Sequence, residues 1–305
     1  MQQLIDGPSF SPAFILAFGL NLATGRDTFL NPHSVFHSLF GSSSAVLAEQ
    51  FEDLQTTHIV AARLTLEENS QRGLRSFLIA HFWLWTRPKN SVLMSTRFGI
   101  CEDYCQGRHL WDWIRKIGML SHEKIRFQDR GAVMVGGETF TLSVDGTDFP
   151  TWEPKHPTLP VDTKYASHKF KTAGYRYEIG LSARTGKCVH WSGPHKAGKH
   201  DMTIFREGFK WKLQPGDVVI ADRGYQTSRA DEQFMSTPNT FDSTEVAKFK
   251  TNVRCRHETF NGRIKKYASM DITWKHTMEK HQLAFMAVIT TVQYHLDEGV
   301  GLFEV

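Results

Sequence analysis

A chain of 305 residues, 40% hydrophobic, 12% aromatic and 22% charged, can bury a substantial core, and that balance excludes wholesale disorder. Its net charge of +4 is unevenly spread, because Lys248 to His281 holds nine Lys and Arg against three Asp and Glu, a local surplus that suits a polyanionic partner. Four cysteines, Cys101, Cys105, Cys188 and Cys255, make no disulfide framework, no Lys- or Arg-led apolar stretch resembles a secretory signal, and neither Ala13 to Leu20 nor Leu283 to Val292 could span roughly 30 Å of hydrocarbon; a soluble protein of a reducing compartment, with no membrane partner, is expected.

Residues 1–57 carry the weakest pattern. Turn formers at Asp6-Gly7-Pro8, Thr24-Gly25, Asn31-Pro32 and Gly41-Ser42-Ser43-Ser44 predict short helices with loose connections there. Residues 58–130 read as a helical subdomain. Thr65 with Glu67 and Glu68 predicts a helix start, Leu74, Phe77, Leu78, Phe82 and Trp85 recur at spacings of three and four as one buried stripe, and Arg87-Pro88 ends the helix. A short helix over Val92 to Ile100, a glycine turn and a longer helix over Cys101 to Ile117, with Tyr104, Trp111 and Ile114 inward, outline a helix-turn-helix. Glu102 and Asp103 would open that second helix where phosphates otherwise bind, so a purely structural role competes with base reading.

From residue 131 the pattern turns to strands. Thr141-Leu142-Ser143-Val144 alternates polar and apolar, and Asp145-Gly146 breaks the alternation, which places the Asp145 carboxylate at the strand's end. Tyr175 to Ala183 and Cys188 to Trp191 flank Arg184-Thr185-Gly186 as a hairpin, Asp201 is positioned to cap a helix through Ile204, Phe205 and Phe209, and Val218 to Asp222 is a buried strand ending on Asp222. Helices then dominate, one holding Glu258 and an apolar one running from about Met278 to His295. Strand, strand, strand, helix, strand, helix predicts an α/β fold: a ribonuclease H-like mixed sheet flanked by helices over 131–305, behind the N-terminal helical, helix-turn-helix-like subdomain.

Asp145 and Asp222, each ending a buried strand, would project from the sheet edge where open α/β folds bind ligands. Thirty-five residues separate Asp222 from Glu258, enough for a helix that returns a third carboxylate to that edge. Three converging anions repel one another and raise their pKa values unless hard divalent cations such as Mg²⁺ sit among them. Taken singly, each could instead cap a turn or pair with a neighbour, Asp222 with Arg223 for instance. Lys265 follows Glu258 by two helical turns and shares its face.

VDGTDF at Val144 to Phe149, ADRGY at Ala221 to Tyr225 and HETFNGRIK at His257 to Lys265 resemble, in order, the three catalytic blocks of the DDE transposases, above all the PIF/Harbinger type, and the resemblance spans roughly Phe140 to Val292. Arg254, Glu258 and Lys265 also fit the Tyr-x2-Arg-x3-Glu-x6-Lys pattern of bacterial insertion-sequence transposases, with Thr251 in place of the tyrosine. The resemblance implies a DNA endonuclease and strand-transfer enzyme that cleaves phosphodiester bonds by two-metal activation of water, with two Mg²⁺ or Mn²⁺ ions on Asp145, Asp222 and Glu258 as catalytic and metal-binding residues. It implies double-stranded DNA, transposon ends among it, as the partner, with residence in the nucleus if the source is eukaryotic and in the cytoplasm otherwise. Arg254, Arg263, Lys265 and Lys266 of the basic helix, and Lys199 of a basic loop, are the expected DNA contacts. A homo-oligomer and a separate DNA-binding partner protein stay open.

Two other readings compete. A domesticated, catalytically silent DNA-binding or scaffold protein would keep the same fold. A phosphate-loop nucleotide hydrolase is suggested by G-x-x-x-x-G-K at Gly193 to Lys199, but His200 stands where a Ser or Thr hydroxyl would hold Mg²⁺ and Pro194 removes a backbone donor. Zinc on Cys101, Cys105, His109 and His122 is a further possibility that ordinary helical packing explains equally. His195, His200 and His257 read as structural, and Trp152, Tyr165, Tyr175 and Trp191 as core packing or as platforms for unpaired bases.

Overall fold

Most of the turn formers in the N-terminal segment are helix caps. In a computed structural model of the chain, which describes residues 10–26, 28–56, 70–88, 91–101, 103–104, 107–152, 162–303 and 305, Asn31 accepts a hydrogen bond from Ser34 N–H and Pro32 takes the first helical position of α2 (Pro32–Phe40). Ser11 caps α1 (Pro12–Thr24) in the same way, Gly25 and Gly41 close α1 and α2, and Ser43 serves α3 (Ser44–Thr56) by accepting from Val46 N–H. Regular helices of 13, 9 and 13 residues thus replace the expected loose connections. Asp6-Gly7-Pro8, the Thr65 helix start, Glu102 and Cys105 lie outside the described residues.

Helix α4 (Gln71–Thr86) buries Leu74, Phe77, Leu78 and Phe82, and Arg87 ends it in the left-handed conformation. The next helices are α5 (Ser91–Phe98), α6 (Arg108–Met119) and the short α7 (Ser121–Lys124). The long helix expected from Cys101 is broken: Asp103 and Tyr104 are helical, and a separate helix starts at Arg108, where Gly107 is the N-cap. Chain packing divides the protein into two units, each assembled from three stretches: Met1–Lys124, Lys266–Ser269 and Glu279–Glu298 form one, and Ile125–Lys265, Met270–Met278 and Gly299–Val305 the other. In the first, the C-terminal helix α11 (Met278–Asp297) completes the core laid down by the N-terminal helices. Gln50 Nε2 reaches Thr291 Oγ1 at 3.3 Å, Tyr294 donates to Asp53 at 2.6 Å, Ser42 Oγ lies 2.8 Å from His295 Nε2, and Gly118 lets α6 approach Met286.

The second unit is built on strands. β1 (Val133–Val135) and β2 (Glu138–Phe140) pair as a small hairpin, and a five-stranded sheet has the order β5-β4-β3-β6-β7, with β3 (Leu142–Pro150), β4 (Gly174–Ser182), β5 (Cys188–Lys196), β6 (Val219–Ile220) and β7 (Met235–Ser236). β3, β4 and β5 run antiparallel, whereas β6 lies parallel to β3 and β7 parallel to β6. Helix α8 (Asp201–Glu207) follows β5, α9 (Thr244–Lys265) follows β7, and the short α10 (Ala268–Asp271) precedes α11 in the chain. Alternation along the strands feeds two cores: Leu142, Val144, Val219 and Ala221 pack with Met202 and Phe205 on one face, Phe140 and Ile220 with Val246, Phe249 and Val253 on the other. The sheet is thus mixed and flanked by helices.

Two strand ends differ from expectation. β3 does not stop at Asp145, because β4 pairs with it residue for residue from Leu142↔Ser182 to Pro150↔Gly174. Likewise β5 continues through Gly193-Pro194-His195-Lys196, held by the pairs Arg176↔His195 and Tyr175↔Lys196, so half of the supposed basic loop is strand. Cross-strand bonds of this kind are long-range, and no local alternation announces them. Among the described residues no helix is long and apolar enough to cross a membrane.

Candidate active site

The parallel pairing of β3 with β6 sets Leu142 beside Val219 and Ser143 beside Ile220. Continued by two residues, the same register brings Asp145 level with Asp222, just beyond the point where β6 ends. Asp145 thus occupies mid-strand toward β4 and a sheet edge toward β6, which frees its carboxylate on that side. Asp222 caps the turn Arg223–Tyr225, its Oδ1 accepting from Gly224 N–H at 2.8 Å. Both line one cavity of about 300 Å³, and so do Glu258, Arg254 and Lys265 of α9.

Helix α9 supplies its share through a matched spacing. Two residues of strand advance about 6.6 Å and four residues of helix about 6 Å, so β3 and α9 run alongside each other nearly in step. Ser143 meets His257 (Oγ to Nδ1, 3.1 Å) and Asp145 meets Asn261 (Oδ2 from Nδ2, 2.9 Å) in that step, whereas Phe149, four strand residues on, is out of step and is approached by the long side chain of Lys265, whose ammonium lies 5.7 Å from the ring centroid. Glu258, next to His257, is exposed at the cavity's rim and has no hydrogen-bond or ion-pair partner among the described residues. Lys265 also stands 5.9 Å from the Phe170 ring, and burial, with Lys169 nearby, lowers its pKa.

Asp145 is held above the usual carboxylate range, at about 6. Burial is the main cause, with Asp222 and Asp201 adding repulsion and Lys169 and the Gly146 N–H opposing. Lys169, another lining residue, donates to the Gly146 carbonyl at 2.8 Å.

Asp201 acts from the far face of the sheet. It is the first residue of α8 rather than its cap, a place taken by His200 without a side-chain bond. Its Oδ1 accepts from Arg176 at 2.9 Å, and Arg176 in turn grips the fully buried Asp148 through two bonds of 2.7 and 3.0 Å. A Cβ on Gly146 would lie 2.5 Å from Asp201 Oδ1, and one on Gly224 would lie 2.9 Å from Asp222 Oδ1 and 3.4 Å from Asp201 Oδ2. The glycines of both acidic blocks therefore make room for carboxylates. Burial raises the Asp201 pKa, and Asp222 adds to the rise.

The remaining basic residues divide by occupation. Arg263 gives its guanidinium to the carbonyls of Val300 and Gly301, and Lys199 pairs with Glu207; neither lines the cavity. Lys266 is exposed. Much of the local positive charge is structural, since Lys250 is buried against Asp242 at 2.7 Å and Arg256 is buried on the Ser182 and Ala183 carbonyls. Tyr175 is core and Trp152 exposed, while Cys101 is exposed and His109 stacks on Tyr104.

Residue-type pattern misses Asn261, Thr147, Lys169, Asp201, Arg176 and Asp148. Asn261 had a signal, three residues after Glu258 on the same helical face, and Thr147 and Asp148 stood inside the VDGTDF block. Among the described residues no group of three or more His, Cys, Asp or Glu forms a ready-made metal centre. Neither a curated protein nor a solved structure matches the chain. Residues 144–294, which hold both acidic blocks and the Glu258 helix, match the family model described as DDE superfamily endonuclease, and over that stretch the chain is similar to that family.

Proposed function

We propose that the protein is a divalent-metal-dependent DNA endonuclease and strand-transfer enzyme of the DDE transposase type, PIF/Harbinger-like in its motifs, with a ribonuclease H-like domain. The common register of Asp145 and Asp222 at the end of a parallel strand pair, with Glu258 on the same cavity, carries the reading. The three-antiparallel, two-parallel sheet with a helix on each face supports the fold assignment.

The donor set fits a hard cation. Three carboxylates line one cavity, and the upward shift of Asp145 marks a site where positive charge would relieve burial and repulsion. Asp145, Asp222 and Glu258 would hold Mg²⁺ or Mn²⁺, which when bound supplies an activated water and stabilises the leaving oxygen. The chain's own side chains do the positioning: Asn261 orients the Asp145 carboxylate, Gly224 N–H fixes Asp222, and Arg254 and Lys265 offer positive charge to phosphates entering the cavity.

One observation favours the silent DNA-binding alternative, namely that the three carboxylates are not gathered into a metal centre. Cleavage of duplex DNA in Mg²⁺ decides. Asp145→Ala, Asp222→Ala and Glu258→Ala should each reduce cleavage to background with unchanged circular dichroism. A wild-type protein that binds DNA but never cuts it in Mg²⁺ or Mn²⁺ would establish the silent reading.

A further inference from the structure

We infer that Lys169 grips a backbone phosphate of the DNA strand lying in the cavity, and that Asp148 is the positioning residue that holds, through Ser167, the loop presenting it. The inference rests on the DNA-cleaving reading above and adds to it a phosphate contact and that contact's support.

The cavity is balanced in charge as it stands. Asp145, Asp222 and Glu258 line it together with Lys169, Arg254 and Lys265, three carboxylates against three cations. A divalent cation on the carboxylates leaves the cationic side chains in surplus, and an entering anion restores the balance. Lys169 is exposed on this space and has no ion-pair partner among the described residues. Its ammonium donates to the Gly146 carbonyl at 2.8 Å, which occupies one of its three protons. The full charge and two donors are left for a ligand. Its charge acts on both Asp145 and Lys265, so it lies near the acidic group and near the other lysine.

The loop that carries Lys169 is braced at that residue. Ala166 pairs with Ala173, Ser167 N–H donates to the Thr172 carbonyl at 2.8 Å, and Lys171 N–H donates to the Ser167 carbonyl at 2.9 Å, which closes a hairpin with His168 to Lys171 at its tip. Ser167 Oγ accepts from the N–H groups of Lys169 and Phe170 at 3.1 and 3.2 Å and donates to Asp148 Oδ2 at 2.6 Å, the full capacity of a hydroxyl. Asp148 is itself fully buried and pinned by Arg176. A carboxylate of β3 thus fixes the backbone from which the ammonium reaches into the cavity. Ordering completed before binding removes that part of the entropic cost of the contact.

Binding of a DNA duplex to the full chain in Ca²⁺, followed by fluorescence anisotropy over a range of salt, tests this. Lys169→Met should make the logarithmic salt dependence shallower by about one unit, so that between about 50 and about 200 mM salt the wild type loses about 3- to 4-fold more affinity than the variant. Lys169→Arg should restore the slope. Lys171→Gln, on the same loop but off the cavity, should change it less. When backbone phosphates are replaced one at a time by uncharged methylphosphonates, one position should weaken the wild type several-fold and leave Lys169→Met unaffected. Ser167→Ala should weaken binding in the wild type and add nothing in the Lys169→Met background. The Lys169 variants alter an exposed side chain, so they remain informative if Ser167→Ala fails to fold. Equal slopes for the wild type and Lys169→Met, or equal effects of Lys169→Met and Lys171→Gln, overturn the inference and leave the DNA-cleaving reading standing. Tighter Mn²⁺ binding by Lys169→Met with unchanged DNA binding would make Lys169 a counter-ion of Asp145 instead. A further loss from Ser167→Ala on top of Lys169→Met overturns the part given to Ser167 and Asp148, and a wild type that binds no DNA removes both readings.

Discussion

Gly146 shows how closely the two faces of the sheet are coupled. Its missing side chain admits Asp201 from one face while Asp145, one residue earlier, points to the other. Gly146→Ala should displace Asp201 from Arg176 and lower stability by about 1 to 3 kcal/mol, the usual cost of overpacking, as read from urea midpoints at constant m-value. Asp201→Asn keeps an acceptor for Arg176 but removes a charge that pushes Asp145 upward. Its carboxyl NMR titration should give an Asp145 midpoint below that of the wild type, near 6; an unmoved midpoint would leave burial and Asp222 as the causes. Sequence reasoning singled out Asp145, Asp222 and Glu258 through their motifs and gave Asp201 only a helix cap, a place that His200 takes. The actual contacts of Asp201 join Gly146, Arg176 and Gly224, and that convergence exists only once the sheet has formed.

At the scale of elements, the match between strand and helix spacing arranges the cavity. Period 3.6 was readable in the basic helix, and it set Glu258 and Lys265 on one face; both line the cavity. The course of β3 through Asp145 was not readable, because Asp-Gly is a turn signal and the nine pairs to β4 override it. Lys265→Ala should weaken binding to all DNA sequences alike and make the logarithmic salt dependence shallower by about one unit, as for one lost phosphate contact. Lys266→Ala, at an exposed position off the cavity, should change the slope less. Equal slopes for the two variants in a filter-binding titration would place the DNA elsewhere. Inserting one residue between Ser143 and Asp145 should be more damaging than any single substitution, since it turns Asp145 away from Asn261.

For the whole molecule, buried ionisable groups set how each unit responds to acid. Burial lowers His81 and His281 in the helical unit, and His190 and His257 in the sheet unit, to about 3. Such a histidine is neutral when folded and takes up a proton when unfolded, so its contribution is present above about pH 6.5 and is lost as pH falls toward 3. The sheet unit also contains Asp145 and Glu178, raised by burial to about 6 and about 8. Each binds its proton more tightly when folded, so each makes stability fall as pH rises from its unfolded value to its folded one. Between about pH 4.5 and 6 these slopes oppose those of His190 and His257, while His81 and His281 meet no such opposition. Hydrogen exchange at pH 5 should therefore show the helical unit losing more protection, relative to pH 7, than the sheet unit; the reverse order would contradict the burial of these histidines. The alternation of strands and helices made the sheet unit legible from sequence, whereas the N-terminal helices were obscured because Asn31-Pro32, Thr24-Gly25 and Gly41 serve equally as turn and cap signals.

The helical unit is also finished late. Its first stretch ends at Lys124, yet α11, which meets Gln50, Asp53 and Gly118, ends at Asp297. At about 5 to 20 residues per second of synthesis, the helices made first wait roughly 10 to 35 seconds for α11, with Gln50, Asp53 and Gly118 without their α11 contacts meanwhile. The first stretch made is thus covered only late in synthesis, and a newborn N-terminal unit is a natural client for a holding chaperone.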